Sequence, residues 1–478
     1  MPNRKSPFKN PVINIVATVA LCVLLAVFYI YATGKYDDKI KNDFETLDTD
    51  KLSNLDSIPR TCLEALDAIG NVRSAKEINT TFLEYCYENI DHEIYNEVYN
   101  YLKDNDYDDS MWEKLCGYSI YALYDLANGY ADSDNYIVKD TGDSLTLSFA
   151  GDVSLDKKWN WSPLQVHAKN RDNLLASAFS EELGQKMITS DLFCVNLESP
   201  FVSANKSPID NQWRHAASLD DIGVLGVLGI DMVNIANDRI YDYSAAGFSD
   251  TLDALYDSSV LYIGGGSNIE DATSPRYLIA GGRKIAFVSA SALKEEKMAP
   301  EASNTAAGID YAGTSVRFTS MIKEARESSD YVVVYLDWGS GKDAKVTTEQ
   351  SDLAHSFINA GADIVLGCRA KTMQAIEYFN GKPIIYGLGN FWYETDNHDA
   401  LFVELKFTRE DNRTEDMRYS DYSFDKEPKI YCYPCTQRSA STSIVLGTNE
   451  GNAIIDQLVN LSGSLIHVDD DGLLTEID

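Results

Sequence analysis

Positive charge is what this chain has least of. Its 478 residues carry 41 Lys and Arg against 74 Asp and Glu, a formal net charge of −33. A surface that acidic repels phosphate backbones, so nucleic acid is excluded as an expected partner. Any anionic polymer would have to bind in a locally basic pocket. Cysteine is sparse and does not pair evenly. Of eight, Cys22 sits in an apolar run, and the remaining seven cannot all form disulfides within one chain. The single C-x-x-C, Cys432 and Cys435, has no second pair, so a zinc site is disfavoured against a local disulfide or two free thiols.

Charge is wholly missing from Asn10 to Thr33. The apolar part, Val12 to Ala32, is about 21 residues, or roughly 30 Å of helix, which matches a bilayer core. Arg4, Lys5 and Lys9 precede it; Asp37 and Asp38 follow. The positive-inside bias predicts an uncleaved signal anchor over 11–33, with 1–10 in the cytoplasm and the rest outside. A polar stalk spans 35–54. Residues 55–138 read as a small all-α domain, because Ile78, Phe82, Cys86, Ile90, Ile94, Val98 and Leu102 recur every four residues.

From 143 to 408 the pattern is α/β. Short apolar runs alternate with helical stretches, and the runs end in polar clusters. Its centre is Tyr331 to Trp392. The run Tyr331 to Leu336 breaks at Asp337-Trp338-Gly339. A helix is expected from about Thr347 to Ala360, stopping at Gly361, and a second strand over Asp363–Leu366, which makes a right-handed βαβ unit. Asn380-Gly381 between apolar runs predicts a hairpin. Residues 409–478 read as an acidic linker and a C-terminal extension.

In open α/β sheets the loops at the carboxyl ends of strands carry the chemistry. Here those ends hold Asp152, Glu198, Asn237, Asp238 and Asp337. Taken singly, each acid caps the next helix. Together, they suit a divalent cation bound through oxygen.

The ordered set Gly151-Asp152, Asn196-Leu197-Glu198, Ala236-Asn237, Asp242-Tyr243, Gly264-Gly265-Gly266, Trp338-Gly339, Gly361-Ala362-Asp363, Gln374 and Leu388-Gly389-Asn390-Phe391 resembles the poly-γ-glutamate capsule-synthesis family, the CapA-like proteins. The resemblance covers about Leu145 to Phe407. It implies a four-layer αββα sandwich like that of calcineurin-type metallophosphoesterases. It also implies a membrane-anchored extracellular protein serving synthesis or export of poly-γ-glutamate or a related envelope polymer, working with a polymer-synthesis membrane complex.

The departures define the site. Where the family pattern has Ala-Asn-Asn-His, this chain has Ala236-Asn237-Asp238-Arg239. For His-Trp-Gly it has Asp337-Trp338-Gly339, and for Gly-His-His-Pro-His it has Gly367-Cys368-Arg369-Ala370-Lys371. Arg has no lone pair to give a metal, so a two-metal centre is not expected. Two readings follow. Asp152, Glu198, Asn237 and Asp337 hold a single Mg²⁺ or Ca²⁺. Alternatively, no cofactor is bound, and Arg239, Arg369 and Lys371 supply the charge, pairing with Asp152, Glu198 and Asp337 or with a carboxylate or phosphate ligand. The second is favoured, with Asn390 as a further ligand-binding residue. The expected function is a membrane-tethered, degenerate-site member of the family. An active metal-dependent phosphoesterase or transferase and a non-catalytic binder of anionic wall components are the alternatives.

Overall fold

The computed structural model describes residues 130–477 with short gaps (140, 142–143, 157–170, 210–213, 294–298, 314–315, 340–342, 394–396, 409–426 and 439) and four isolated residues before them. The expected anchor, the stalk and almost all of the expected helical domain lie outside the described residues. Among the described residues, no helix is long and apolar enough to cross a membrane. The chain divides into two compact units. The larger comprises 135–280, 284–408 and 425–478.

That larger unit is a mixed α/β, sheet-rich fold. A seven-stranded sheet runs in the order Tyr136–Lys139, Arg276–Ala280, Arg283–Ser291, Tyr331–Asp337, Ile364–Cys368, Lys382–Ile385, Ile376–Phe379. An eight-stranded sheet includes, in order, Lys429–Arg438, His398–Thr408, Ser144–Val153, Leu192–Leu197, Met232–Asn234 and Leu261–Ile263, with Asn390–Trp392 paired to Ser144–Val153. The segment after 425, expected as an extension, supplies the Lys429–Arg438 strand and the helix Asn449–Leu461.

The period of two along Tyr331–Asp337 explains how the layers assemble. Val332, Val334 and Leu336 face Phe318, Met321, Ile322 and Phe357 of the helices Val316–Glu327 and Thr348–Ala360. On the opposite side, Tyr335 packs its ring 6.4 Å from Phe149 and donates its hydroxyl to the Ala150 carbonyl at 2.6 Å, joining the two sheets face to face. Tyr331 meets Phe407 edge-on at 5.3 Å. The second sheet turns Phe193, Val195 and Val233 toward Leu183, Met187, Leu225 and Phe248 of its own helices.

Local sequence signals act as expected in the central unit. Thr347 and Gln350 form a capping box at the start of the helix Thr348–Ala360, and Gly361 ends it at φ +118°. The flanking strands pair in parallel. Asn380 and Gly381 both take positive φ, +52° and +71°, as a tight hairpin turn demands. Elsewhere the boundaries shift. Residues 171–189 form two helices, Arg171–Ala178 and Glu181–Thr189, rather than one. Between them Phe179 bridges Thr442 and Ser180 N–H donates to the Thr442 carbonyl, so a strand distant in sequence interrupts the helix.

Cys432 and Cys435 are buried free thiols on one strand. Positions three apart on a strand point to opposite faces, which rules out a disulfide between them. Trp338 and Trp392 are core residues; their indole N–H groups donate to the Tyr386 and Ala440 carbonyls.

Candidate functional site

Parallel pairing carries the polar strand ends to one edge. Asp152 lies in register with Asn196 on one side and Asn390 on the other, and Asn196 with Asn234. In the facing sheet, Asp337 is in register with Ser291 and Cys368. Close approach between strands requires glycine at two points. A Cβ at Gly151 would meet the Gly389 carbonyl oxygen at 1.9 Å, and one at Gly367 the Tyr386 carbonyl oxygen at 2.1 Å.

Three buried carboxamides form the frame. Asn196 Nδ2 donates to Asp152 Oδ1 at 2.7 Å and to Glu198 Oε1 at 2.9 Å. Its Oδ1 accepts from Asn234 at 2.8 Å and from Asn237 at 3.0 Å. Asn237 Oδ1 accepts the backbone N–H groups of Arg239 and Ile240, each at 3.0 Å, so this amide shapes its own loop. Its neighbour Asp238 reaches the centre. Carboxylate oxygens of Glu198, Asp238 and Asp337 all lie within 4.8 Å of one another. Asp238 was visible at the strand end in the sequence, but the choice between it and Asn237 depends on which way the loop turns.

Two of the three expected cations join these acids. Arg369 Nη1 is 2.9 Å from Asp238 Oδ2 and 4.0 Å from Asp337 Oδ1, and its backbone N–H donates to Asp152 Oδ1 at 3.2 Å. Arg369 takes φ +78°, a conformation that L residues hold only where the surroundings impose it. Arg239 lies 3.9 Å from Asp238 and 3.7 Å from Asp242. Lys371 is placed apart, with its ammonium 5.5 Å from the centre of the Tyr393 ring.

Burial dominates the electrostatics. It pushes the Asp152 carboxyl up to about 6, against the hydrogen bonds from Asn196 and Arg369. Glu198 is raised well above the usual carboxylate range by burial and then by Asp152, Asp238 and Asp337. Asp337 is raised by burial, while Arg369 pulls it down. Some polar atoms at this edge are unmatched. Asp337 Oδ2, Arg369 Nε and both amide atoms of the buried Asn390 have no hydrogen-bond partner among the described residues.

The donor set decides which metal the residues fit. No imidazole belongs to the Glu198–Asp238–Asp337 group, and a guanidinium stands beside it. Two borderline ions do not fit such a set. One hard cation does, through Glu198, Asp238 and Asp337, with the free oxygen of Asp337 as an open ligand atom. Bound there, it would neutralise the acids and polarise an oxygen of a ligand.

The sequence pattern showed Asn196 only as part of a motif, and Asn234, His215 and Tyr393 not at all. His215 falls outside every motif considered, and Tyr393 lies two residues past the last one; neither carries a local signal. The amides were legible only as strand-end residues.

Polar groups at successive strand ends of two facing sheets thus meet at one acid-lined edge. The family model for bacterial capsule synthesis proteins (PGA_cap) matches residues 146–395, and the chain belongs to that family. It is 27% identical over 267 residues to the PGA biosynthesis protein CapA of Bacillus subtilis, covering 55% of this chain and 67% of that one. It is 24% identical over 277 residues to the capsule biosynthesis protein CapA of Bacillus anthracis, covering 55% and 64%. A Mycobacterium tuberculosis protein named "Probable polyglutamine synthesis accessory protein" is 25% identical over 233 residues, covering 45% and 60%. The chain thus spans about two thirds of the length of these relatives.

Proposed function

We propose that this protein is a membrane-anchored, extracellular accessory to the synthesis or export of poly-γ-glutamate or a related envelope polymer. Its core is a four-layer αββα sandwich of the metallophosphoesterase kind. Guanidinium charge stands at its site in place of a dinuclear metal centre, and the site binds rather than turns over its ligand. One observation carries this reading: Arg369 Nη1 lies 2.9 Å from Asp238 and 4.0 Å from Asp337, among acids that metal would otherwise have to neutralise. The uncharged span Val12 to Ala32 supports the anchor.

A second reading, a single Mg²⁺ or Ca²⁺, is favoured by the three converging carboxylates and the unmatched Asp337 oxygen. It would allow metal-dependent hydrolysis or transfer.

The test is complementation of a deletion strain, scored by surface polymer. Wild type should restore the polymer, and so should Asp152→Ala, because no turnover is required. Failure of a folded Asp152→Ala protein to restore it would favour the metal-dependent enzyme. Unchanged polymer on deletion would remove the polymer role altogether.

A further inference from the structure

We propose that Arg239, Lys371 and the Tyr393 hydroxyl form an anion-binding subsite beside the acid cluster, and that His215 is the positioning residue that fixes Tyr393 in it. The subsite rests on the binding role proposed above and adds which groups would hold the ligand's carboxylate or phosphate: Arg239, Lys371 and a tyrosine hydroxyl set by a buried histidine.

Ser154 and Tyr393 lie just past the paired residues Asp152 and Asn390, and Ser154 N–H donates to the Trp392 carbonyl at 3.0 Å. His215 is inserted between their side chains. Its Nδ1 is 3.1 Å from Ser154 Oγ and its Nε2 is 3.1 Å from Tyr393 Oη. All three residues are almost fully buried. Both ring nitrogens are therefore engaged, and in either neutral tautomer one donates while the other accepts. The backbone of Tyr393 is clamped as well. Its N–H donates to Gln437 Oε1 at 2.7 Å, and Gln437 Nε2 donates back to its carbonyl at 2.9 Å. Buried polar groups fastened at this many points hold one geometry.

What is fixed there is an aromatic ring with cationic neighbours. Lys371 sits over the ring at 5.5 Å. Arg239 is tied to the loop of His215 through Asp242, which also meets Arg214, the residue before His215. The Arg239 side chain is 29% exposed, and its ion contacts, 3.9 Å to Asp238 and 3.7 Å to Asp242, are longer than hydrogen bonds. Arg214 stands 4.0 Å from the same Asp242. Two guanidinium groups thus share one buried carboxylate. A planar, partly exposed guanidinium with donors to spare suits a carboxylate or phosphate. Arg369, by contrast, is taken up by the acid cluster.

The test is titration calorimetry on the full-length chain with two probes, inorganic phosphate and poly-γ-glutamate. Tight binding of either supports the subsite, and the preferred probe identifies the anion. Arg239→Ala should weaken binding about 10- to 100-fold, as loss of a charge-assisted contact does. Tyr393→Phe, which keeps the ring, should weaken it about 3- to 10-fold. His215→Ala should weaken it to the same degree in the wild-type background and have no further effect in the Tyr393→Phe background, a coupling that general destabilisation would not produce. If His215→Ala does not fold, Arg239→Ala and Lys371→Ala, at partly exposed positions, still decide the subsite. Wild-type binding of neither probe overturns it, as does binding unchanged in Arg239→Ala and Tyr393→Phe. In both cases the polymer role is judged separately, by complementation.

Discussion

Replacing Arg369 by Gln keeps most of the stem and the backbone strain but removes the charge. At an effective dielectric near 20, opposite charges about 4 Å apart attract by about 4 kcal/mol, and breaking a buried pair costs about 3–5 kcal/mol. The Arg369 and Asp238 side chains are 16% and 21% exposed, so solvent screening lowers the expected loss to about 2–4 kcal/mol near pH 8. The loss should depend on pH with a definite sign. Arg369 lowers the carboxyl pKa values of Asp152 and Asp337, so the part of its contribution that runs through them exists only where those groups are ionised. It should shrink as pH falls through about 6, where Asp152 takes up its proton. Urea denaturation of wild type and variant from pH 5 to 8 measures this. A loss under about 0.5 kcal/mol at pH 8, or one that grows toward pH 5, would refute the placement of the guanidinium among ionised acids.

Further outcomes follow from the same geometry. Asp152→Asn should stabilise the protein at pH 8 by at most about 3 kcal/mol, since burial raises that carboxyl from 3.8 to about 6, and should approach neutrality near pH 3, below both values; a variant no more stable than wild type at pH 8 would contradict it. Gly151→Ala should lose the native fold or the pairing of Asp152 with Asn390, read as a lowered Tm, because its Cβ has no room against Gly389. Thr347→Ala should cost about 1 kcal/mol in urea melts through loss of the capping box. Cys432 and Cys435 should stay unreactive to thiol reagents in the native protein and become reactive on unfolding; a native mass shift matching a disulfide would oppose this.

How much was legible depended on the range of the interaction. The central βαβ unit, the Gly361 stop and the Asn380-Gly381 turn were readable because each signal lies within a few residues of the element that it controls. The strand Lys429–Arg438 was missed. Pro434 breaks its pattern, and its neighbour Ser441–Ile444 begins pairing only at Cys435, beyond the proline. The interruption at Phe179 likewise comes from Thr442, far away in sequence. At the site, the acids were visible as strand-end residues. Asp238 rather than Asn237 facing the centre, Lys371 leaving it for Tyr393, and His215 arriving from another loop all depend on loop paths that no local pattern encodes.

Elemental analysis of the purified full-length chain bears most directly on the substitution of guanidinium for metal. No bound transition metal is expected, with at most one equivalent of Mg²⁺ or Ca²⁺ at Glu198, Asp238 and Asp337. Two equivalents of zinc, manganese or iron per chain would contradict it.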